Sequence, residues 1–521
     1  MKKNDKIELD IVDMTKDGLG LAKVDGQVFF VKDGLIGDKV KAVITKVDKN
    51  IIYSKVLNIV EKSNYRVKSS CNVSNACGGC QLLNLDYKKQ IELKKNYVLS
   101  CLKKIGKFNN IIIVSSKDNN VDLNISESAI DENDTGKNID AKYSNPVLYS
   151  GIIETDNIYN FRNKMQVPFA ERNGEIIYGF YAGRTHSIVE CDKCIVGFKD
   201  SEKILHSIKQ ALIEFGLSIY DEKTHEGIFR EVMLRKGNVS NEVSITYIVN
   251  DKNYKNNIDL YQKFDSCVMK KYNDIDISSQ LVLSTSTLNI NTSNNNVIFG
   301  NNNVVLRGSG YIIDSIGNVK YHISPESFYQ VNIDMTKKLY DTVLEFADFK
   351  GDERVLDLYC GIGTISLYIA KYVKNVCGIE IVEKAVENAK ENAKINNIKN
   401  SKFICENIAN CGINKGIFDG KGHNNTISYE DNIKIVFKNG SYDTIIIDPP
   451  RKGLDIETIE FIKHTNPKKI IYVSCDPATL SRDLNILCHE SNGLYKLVEV
   501  KNVDMFPHTM HIETVCLIKH L

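Results

Sequence analysis

The first 62 residues alternate apolar and polar positions in short runs, among them IELDIVD, QVFFVKD, KVKAVITKV and IIYSKVLNIV. A period of two marks strands with one buried face. Gly18, Gly20, Gly34 and Gly37 punctuate the runs, so the pattern predicts a small five-stranded β barrel. Residues 63–108 hold a cysteine-rich loop and then a helical stretch, YKKQIELKKNYVLSCLKKIGKF. From about 151 to 310 strand-like runs recur, such as KMQVPFAER, EIIYGFYA and EVSITYIV, and predict a mostly β domain with interleaved helices. From 311 the pattern changes. RVLDLYCGIG, NVCGIEI, TIIIDPP and KKIIYVSC are apolar runs that end in a glycine, an acid, a proline or a cysteine, with helical stretches between them. That alternation predicts a parallel, doubly wound α/β sheet. Ligands of such sheets lie at the carboxyl ends of the strands, where the unusual residues stand. The predicted domains span 1–62, 63–310 and 311–521.

Three stretches break the pattern. Residues 114–146 are polar and acidic and predict a disordered insertion. The Asn-rich stretch 290–303 and the segment 411–438 read as loop insertions.

Composition narrows the function classes. The chain has 521 residues, 42% of them hydrophobic, enough for about three cores. Its net charge of +1 supplies no global field, so any nucleic-acid surface must be local. MKKNDKIELDIVD has no signal-peptide core, and no apolar run approaches membrane-spanning length. A soluble cytoplasmic protein with no membrane partner is expected. Its 14 cysteines should then be reduced, metal-bound or catalytic. The helical stretch carries Lys88, Lys89, Lys94, Lys95, Lys103, Lys104 and Lys107 against Glu92; it reads either as a solvated face or as a phosphate-contacting one.

The strand ends carry the candidate chemistry. VLDLYCGIGTISL is a strand, a turn with Gly361 and Gly363, and a helix. The next strand ends in Glu380, placed to hydrogen-bond a ribose hydroxyl pair. The glycines follow G-x-G without the third glycine of a dinucleotide site, which favours a nucleoside lacking a pyrophosphate; S-adenosylmethionine fits. ISPESFYQVN offers Gln330, and SKFICEN ends in Asn407. IIIDPPRKG displays Asp448 at a strand exit stiffened by prolines. Cys475 ends the following strand, and MFPHTMHIETVCLI offers Glu513 as a base. Cys475 alone reads as a small buried filler. Beside an acid, a base and a methyl donor it reads as a nucleophile that adds to C6 of a pyrimidine and activates C5. Cys360 and Cys377 read as filler.

In this order, ISPESFYQVN, DLYCGIGT, GIE, DPPRKG, SCDPATLSRD and HIET resemble the RNA uridine-5-methyltransferase family, and residues 1–62 resemble its TRAM barrel, an OB fold. The resemblance implies a class I S-adenosyl-L-methionine-dependent methyltransferase. It makes Cys475 the nucleophile and Glu513 the general base. It places Gln330, Tyr359, Thr364, Glu380, Asn407 and Asp448 at the methyl-donor positions. Tyr359 stands where the family often has Phe, Thr364 where it often has Asn, and Asp476 where it usually has Asn.

CNVSNACGGC supplies Cys71, Cys77 and Cys80, and IVECDKCIVGF offers Cys191 and Cys194. Four thiolates suit zinc or an iron–sulfur cluster equally well. The segment with its CGGCQLLNLDY continuation is similar to the [4Fe-4S] motif of the ribosomal members, which implies Cys71, Cys77, Cys80 and Cys194 as ligands and Cys191 as a bystander. FRNKMQ is similar to a family segment facing RNA, with Phe161 to stack a base and Arg162 or Lys164 to meet phosphate. The resemblance points to an enzyme acting on a specific uridine of 23S ribosomal RNA, and a monomer is expected. A transfer-RNA uridine methyltransferase, a non-catalytic RNA-binding assembly factor and an RNA cytosine-5-methyltransferase are the alternatives. The last usually has a second cysteine in the Asp-Pro loop, which DPPRKG lacks.

Overall fold

The protein is described from a computed structural model covering residues 1–114, 146–183, 185–275, 280–408, 442–490 and 493–521. The expected insertions at 114–146, apart from its two end residues, and at 411–438 lie outside these residues.

The N-terminal barrel has six strands rather than five, because its first strand is broken into Lys6–Asp10 and Asp13–Met14. The break lets one segment serve two edges. Lys6–Asp10 pairs with Lys39–Asp48, while Asp13–Met14 pairs with Gly20–Val24. Inward-facing Leu9, Phe29, Val31, Val40 and Ala42 fill the interior. Arg66 grips buried Asp38 with Nε and Nη2, the latter at 2.6 Å, and fastens the barrel to the segment that follows.

The central domain is a seven-stranded sheet, ordered Ile188–Glu190, Glu175–Tyr181, Lys164–Arg172, Phe229–Lys236, Glu242–Val249, Val282–Ile290 and Asn302–Arg307. Helices Ser201–Phe215 and Ile258–Ile275 bury apolar stripes in its core. The Asn-rich stretch after Ile290 is tied down: Asn291 Nδ2 donates to the carbonyls of Val297 and Ile298 at 2.6 and 2.8 Å.

The C-terminal sheet has nine strands, ordered Ser401–Cys405, Asn375–Glu380, Arg354–Leu358, Thr444–Ile447, Lys469–Ser474, Glu513–His520, Tyr495–Val503, Val147–Ile153 and Ile111–Ile113. The first five pair in parallel, as the apolar runs predict; Glu513–His520 then enters antiparallel. The last two strands come from residues expected in the central domain. Val147–Ile153 pairs in parallel with Tyr495–Val503, so a boundary at 310 does not separate the two sheets. Pairing with a strand some 350 residues away covers what would otherwise be an exposed sheet edge.

Helix Tyr87–Lys104 also belongs to this unit. Asp86 caps it, accepting from the Lys88 and Lys89 amides at 3.0 and 3.3 Å, and Lys103 and Lys104 sit favourably at its C-terminus. Its lysines do not form one phosphate-facing surface. Lys94 is fully buried and its Nζ reaches Asp504 Oδ1 at 2.5 Å and the Phe506 carbonyl at 2.9 Å. Tyr87 donates to the other Asp504 oxygen at 2.8 Å. Lys94→Ala should therefore destabilise the fold by about 3–5 kcal/mol, because it strands a buried carboxylate. A loss of unfolding free energy in urea of under about 1 kcal/mol would contradict this.

Candidate functional site

Register alone gathers the strand-end residues. Ile379, Leu358, Ile447 and Tyr472 lie in one row across the four parallel strands. One position further along sit Glu380, Tyr359 and Asp448, side by side at the carboxyl edge. On the neighbouring antiparallel pair, Ser474 faces Thr514, and the next positions outward are Cys475 and Glu513. Strand pairing thus sets the thiol against the carboxyl.

Glu380, Tyr359, Asp448, Cys475 and Glu513 line one cavity of about 620 Å³, together with Gln330, Thr364 and Asn407. Gln330 is buried, with its carbonyl accepting from Asn163 Nδ2 at 2.9 Å. Thr364 opens the helix Thr364–Ile369; its hydroxyl accepts from Tyr340 at 2.9 Å and its carbonyl from Tyr321 at 2.9 Å. Tyr359 holds a left-handed backbone (φ 63°), unusual for a bulky side chain, and its hydroxyl meets Thr458 Oγ1 at 3.2 Å. Glu380 accepts from the amides of Gly361, Ile381 and Val382 at 3.1, 2.8 and 2.9 Å, which locks the carboxylate at the strand end. Asn407 is exposed at the cavity's edge.

Gly363 caps the same helix with φ 79°, and a Cβ there would lie 2.9 Å from the Phe403 ring. Gly363→Ala should weaken methyl-donor binding at least fivefold and lower stability by more than about 1 kcal/mol. Calorimetric titration with the donor is the check; unchanged affinity would count against a tight turn at this place.

The electrostatics suit a cationic ligand. Asp357 is fully buried; Ser366 donates to its Oδ2, while Oδ1 has no hydrogen-bond partner among the described residues. Burial pushes Asp357 up to about 7, with neighbouring Asp448 adding to the rise. Asp448 is pushed up to about 7 by burial. Glu513, also buried, is pushed up to about 8 by burial and then by Asp448, against Arg451 pulling it down. Three carboxyls held partly neutral by burial are a site waiting for positive charge.

Burial pushes Cys475 up to about 12, helped by Glu513 and Asp448; Arg451 beside it pulls in the opposite direction. Arg451 is the cation of this site that sequence reasoning left without a role, though DPPRKG contains it. Its Nη2 lies 3.3 Å from His511 Nε2, and burial together with Arg451 pushes His511 down to about 4, leaving a neutral ring as partner. Arg482 and Asp483, from SCDPATLSRD, hold the same loop. Arg482 Nη2 donates to the carbonyls of Lys452 and Leu454, and Asp483 accepts from the Leu454 amide at 2.9 Å. Asp476 caps helix Pro477–Asn485, accepting from the Ala478 and Thr479 amides at 2.9 and 3.3 Å. Asn caps equally well, so Asp at this place keeps the same local role.

The cysteines expected to bind metal come together, since each of Cys77 and Cys80 feels the charges of Cys71 and Cys194. Cys191 lies among them as well, with Sγ directed at the Lys193 carbonyl. Among the described residues, however, no group of three or more His, Cys, Asp or Glu side chains is arranged to hold a metal ion. Arg162 is largely buried against Cys194 and Cys80. Lys164 is pushed down to about 8 by burial and by Arg235 and Arg162.

The family described as tRNA (Uracil-5-)-methyltransferase matches residues 279–521, and the TRAM domain matches residues 2–57. Over 522 residues the chain is 35% identical to an uncharacterised RNA methyltransferase of Halalkalibacterium halodurans, covering 100% of this chain and 98% of that one. The chain belongs to the RNA uracil-5-methyltransferase family. An uncharacterised RNA methyltransferase of Clostridium acetobutylicum is 37% identical over 521 residues, again 100% of this chain and 98% of the relative. Among solved structures, the tRNA (uracil-54, C5)-methyltransferase of Pyrococcus abyssi with S-adenosyl-L-homocysteine superposes with a TM-score of 0.66. At 24% identity, over 98% of this chain and 99% of that one, it shows the shared fold. Membership makes the enzyme an RNA methyltransferase. No helix among the described residues is long and apolar enough to cross a membrane.

Proposed function

We propose that the enzyme uses S-adenosyl-L-methionine to methylate C5 of one uridine in 23S ribosomal RNA. The observation that carries this reading is the register: Cys475 and Glu513 face each other beside a cavity rich in buried carboxyls. The donor, when bound, supplies an electrophilic methyl group on a sulfonium. Asp357 and Asp448 offer that cation its counter-charge, Glu380 faces the ribose, and the Gly361 turn, where a Cβ would meet nothing within 4 Å, leaves room for the ligand. Cys475 adds as thiolate to C6 of the flipped-out base, which makes C5 nucleophilic. Once C5 carries the methyl group, Glu513 takes the C5 proton and the C6–S bond breaks, returning the thiolate.

A route for the RNA supports the reading. A groove of about 490 Å³ runs from Phe30 and Tyr53 of the barrel past Cys77 and Cys80 to His511, which also lines the catalytic cavity. Phe30 and Tyr53 pack edge to face at 5.7 Å, with Lys46 over Tyr53, a platform suited to stacking bases.

We assign the thiols of Cys71, Cys77, Cys80 and Cys194 to a [4Fe-4S] cluster that organises this groove. The likeness of the CGGCQLLNLDY segment to the [4Fe-4S] motif of the ribosomal members favours the cluster over zinc. Arg162 would balance the cluster's charge. Anaerobically purified protein should be brown, with iron and sulfide by analysis; colourless protein containing zinc would overturn the assignment.

The second reading is transfer RNA, since the matched family and the Pyrococcus abyssi enzyme are both described by it. Tritiated donor with unmodified 23S RNA and with transfer RNA, followed by nucleoside analysis, decides. Label in 5-methyluridine from 23S RNA alone supports the first reading.

A further inference from the structure

A second cavity, of about 680 Å³, opens on the central domain and shares no lining residue with the catalytic one. Its walls carry Phe180, Tyr181 and Tyr220, and the Arg230 guanidinium lies 4.2 Å from the centre of the Tyr220 ring. These groups are held in place. Tyr181 donates to Glu222 at 2.8 Å, Tyr220 meets His225 Nδ1 at 2.9 Å, and Arg230 Nη1 donates to the carbonyls of Asn291 and Ser293. The Asn-rich loop, tied by its own side chains, closes one side. Gln166 and Glu231 line the same cavity from neighbouring strands. Gln166 Nε2 donates to Glu231 Oε2 at 3.3 Å, while Glu231 Oε1 has no hydrogen-bond partner among the described residues.

Pre-oriented aromatic faces with a stacked guanidinium and a polar floor are what an unpaired RNA base requires. A carboxylate only accepts, so it selects a base edge with adjacent N–H donors. Adenine and cytosine set a ring-nitrogen acceptor beside their amino group, and uracil flanks its single N–H with carbonyls. Guanine presents N1–H and the N2 amino group together. We propose that this cavity binds an unpaired guanine of the substrate RNA, stacked on its tyrosine wall with N1–H and N2–H donating to Glu231. This rests on the reading that the chain acts on RNA. Burial pushes Glu231 up to about 7, against Gln166 pulling it down, so an ionised acceptor is accessible at neutral pH.

The test uses full-length enzyme and nine-nucleotide uridine oligomers with guanosine, inosine or adenosine at the centre, followed by fluorescence anisotropy. Guanosine should bind about tenfold more tightly than adenosine, with inosine, which lacks the N2 amino group, between them. Glu231→Gln should erase the guanosine preference, and Tyr181→Ala, at an exposed wall, should weaken all three. Both variants should keep the wild-type methylation rate at saturating RNA, with KM raised. Equal binding of the three oligomers by wild-type enzyme, or an undiminished preference in Glu231→Gln, overturns the proposal. Free guanosine monophosphate competing as well as the oligomer would identify a free nucleotide as occupant and also overturn it. Absence of any RNA methylation by wild-type enzyme would instead sink the parent reading.

Discussion

Cys475→Ala is expected to lower RNA methylation by at least about 10⁴-fold, the order seen when a covalent nucleophile is removed. It should also abolish the covalent adduct with 5-fluorouridine RNA, in which fluorine replaces the C5 proton whose removal releases the enzyme. Donor affinity should stay within about twofold, because the carboxyls and the Gly361–Gly363 turn are untouched. Cys475→Ser is the sharper variant. It keeps the shape of the side chain but offers a hydroxyl that the site cannot ionise. The thiol itself is held up to about 12, chiefly by burial and then by Glu513 and Asp448. Cys475 is therefore protonated in the free enzyme at neutral pH, and cationic charge in the site favours the thiolate. Arg451 is the resident part of that charge, so Arg451→Met should slow adduct formation more than it weakens RNA binding. An undiminished 5-fluorouridine adduct in Cys475→Ala would remove the nucleophile assignment outright.

The residues that make this prediction possible were legible because of where they stand. A strand buried on both faces is a continuous apolar run, and its first polar residue marks the sheet's carboxyl edge. Glu380 and Asp448 follow that rule, and the register aligns them; Cys475 stands just past the end of the next strand, where the antiparallel pairing sets it against Glu513. Glu513 is harder, since it opens an antiparallel strand rather than ending a parallel one; its apolar flanks make it a candidate base, and the family resemblance implies the same role. What was not legible depends on partners far along the chain. Seven lysines near residue 100 look alike as letters; only Asp504, 410 positions away, singles out Lys94 as buried. Strands Ile111–Ile113 and Val147–Ile153 are short apolar runs whose sheet is decided by Tyr495–Val503. Arg451 follows two prolines in a loop, where a basic residue is ordinary, and only its approach to the thiol gives it meaning. Arg162, read as a phosphate contact, lies against thiols contributed by two separate segments.

Glu513→Gln should split the reaction at its last step. The amide fills the same space but cannot take the C5 proton, so addition and methyl transfer proceed while elimination stalls. Turnover should fall by about 10²–10⁴-fold. Methylated RNA should accumulate covalently bound through Cys475, visible as a slow-migrating band that survives denaturant. The pH dependence gives an independent reading. Burial and Asp448 raise Glu513 to about 8, so the free enzyme holds its base mostly protonated at neutral pH. The base works ionised at the elimination step, so release of methylated RNA from the covalent intermediate should quicken as pH rises through about 8. Asp448, raised to about 7 at the same wall, titrates with it, and the observed midpoint belongs to the pair. In Glu513→Gln the release step should lose this pH dependence, while single-turnover methyl transfer proceeds. A variant that releases methylated RNA at the wild-type rate, or a wild-type profile flat from pH 6 to 9, would place the base elsewhere.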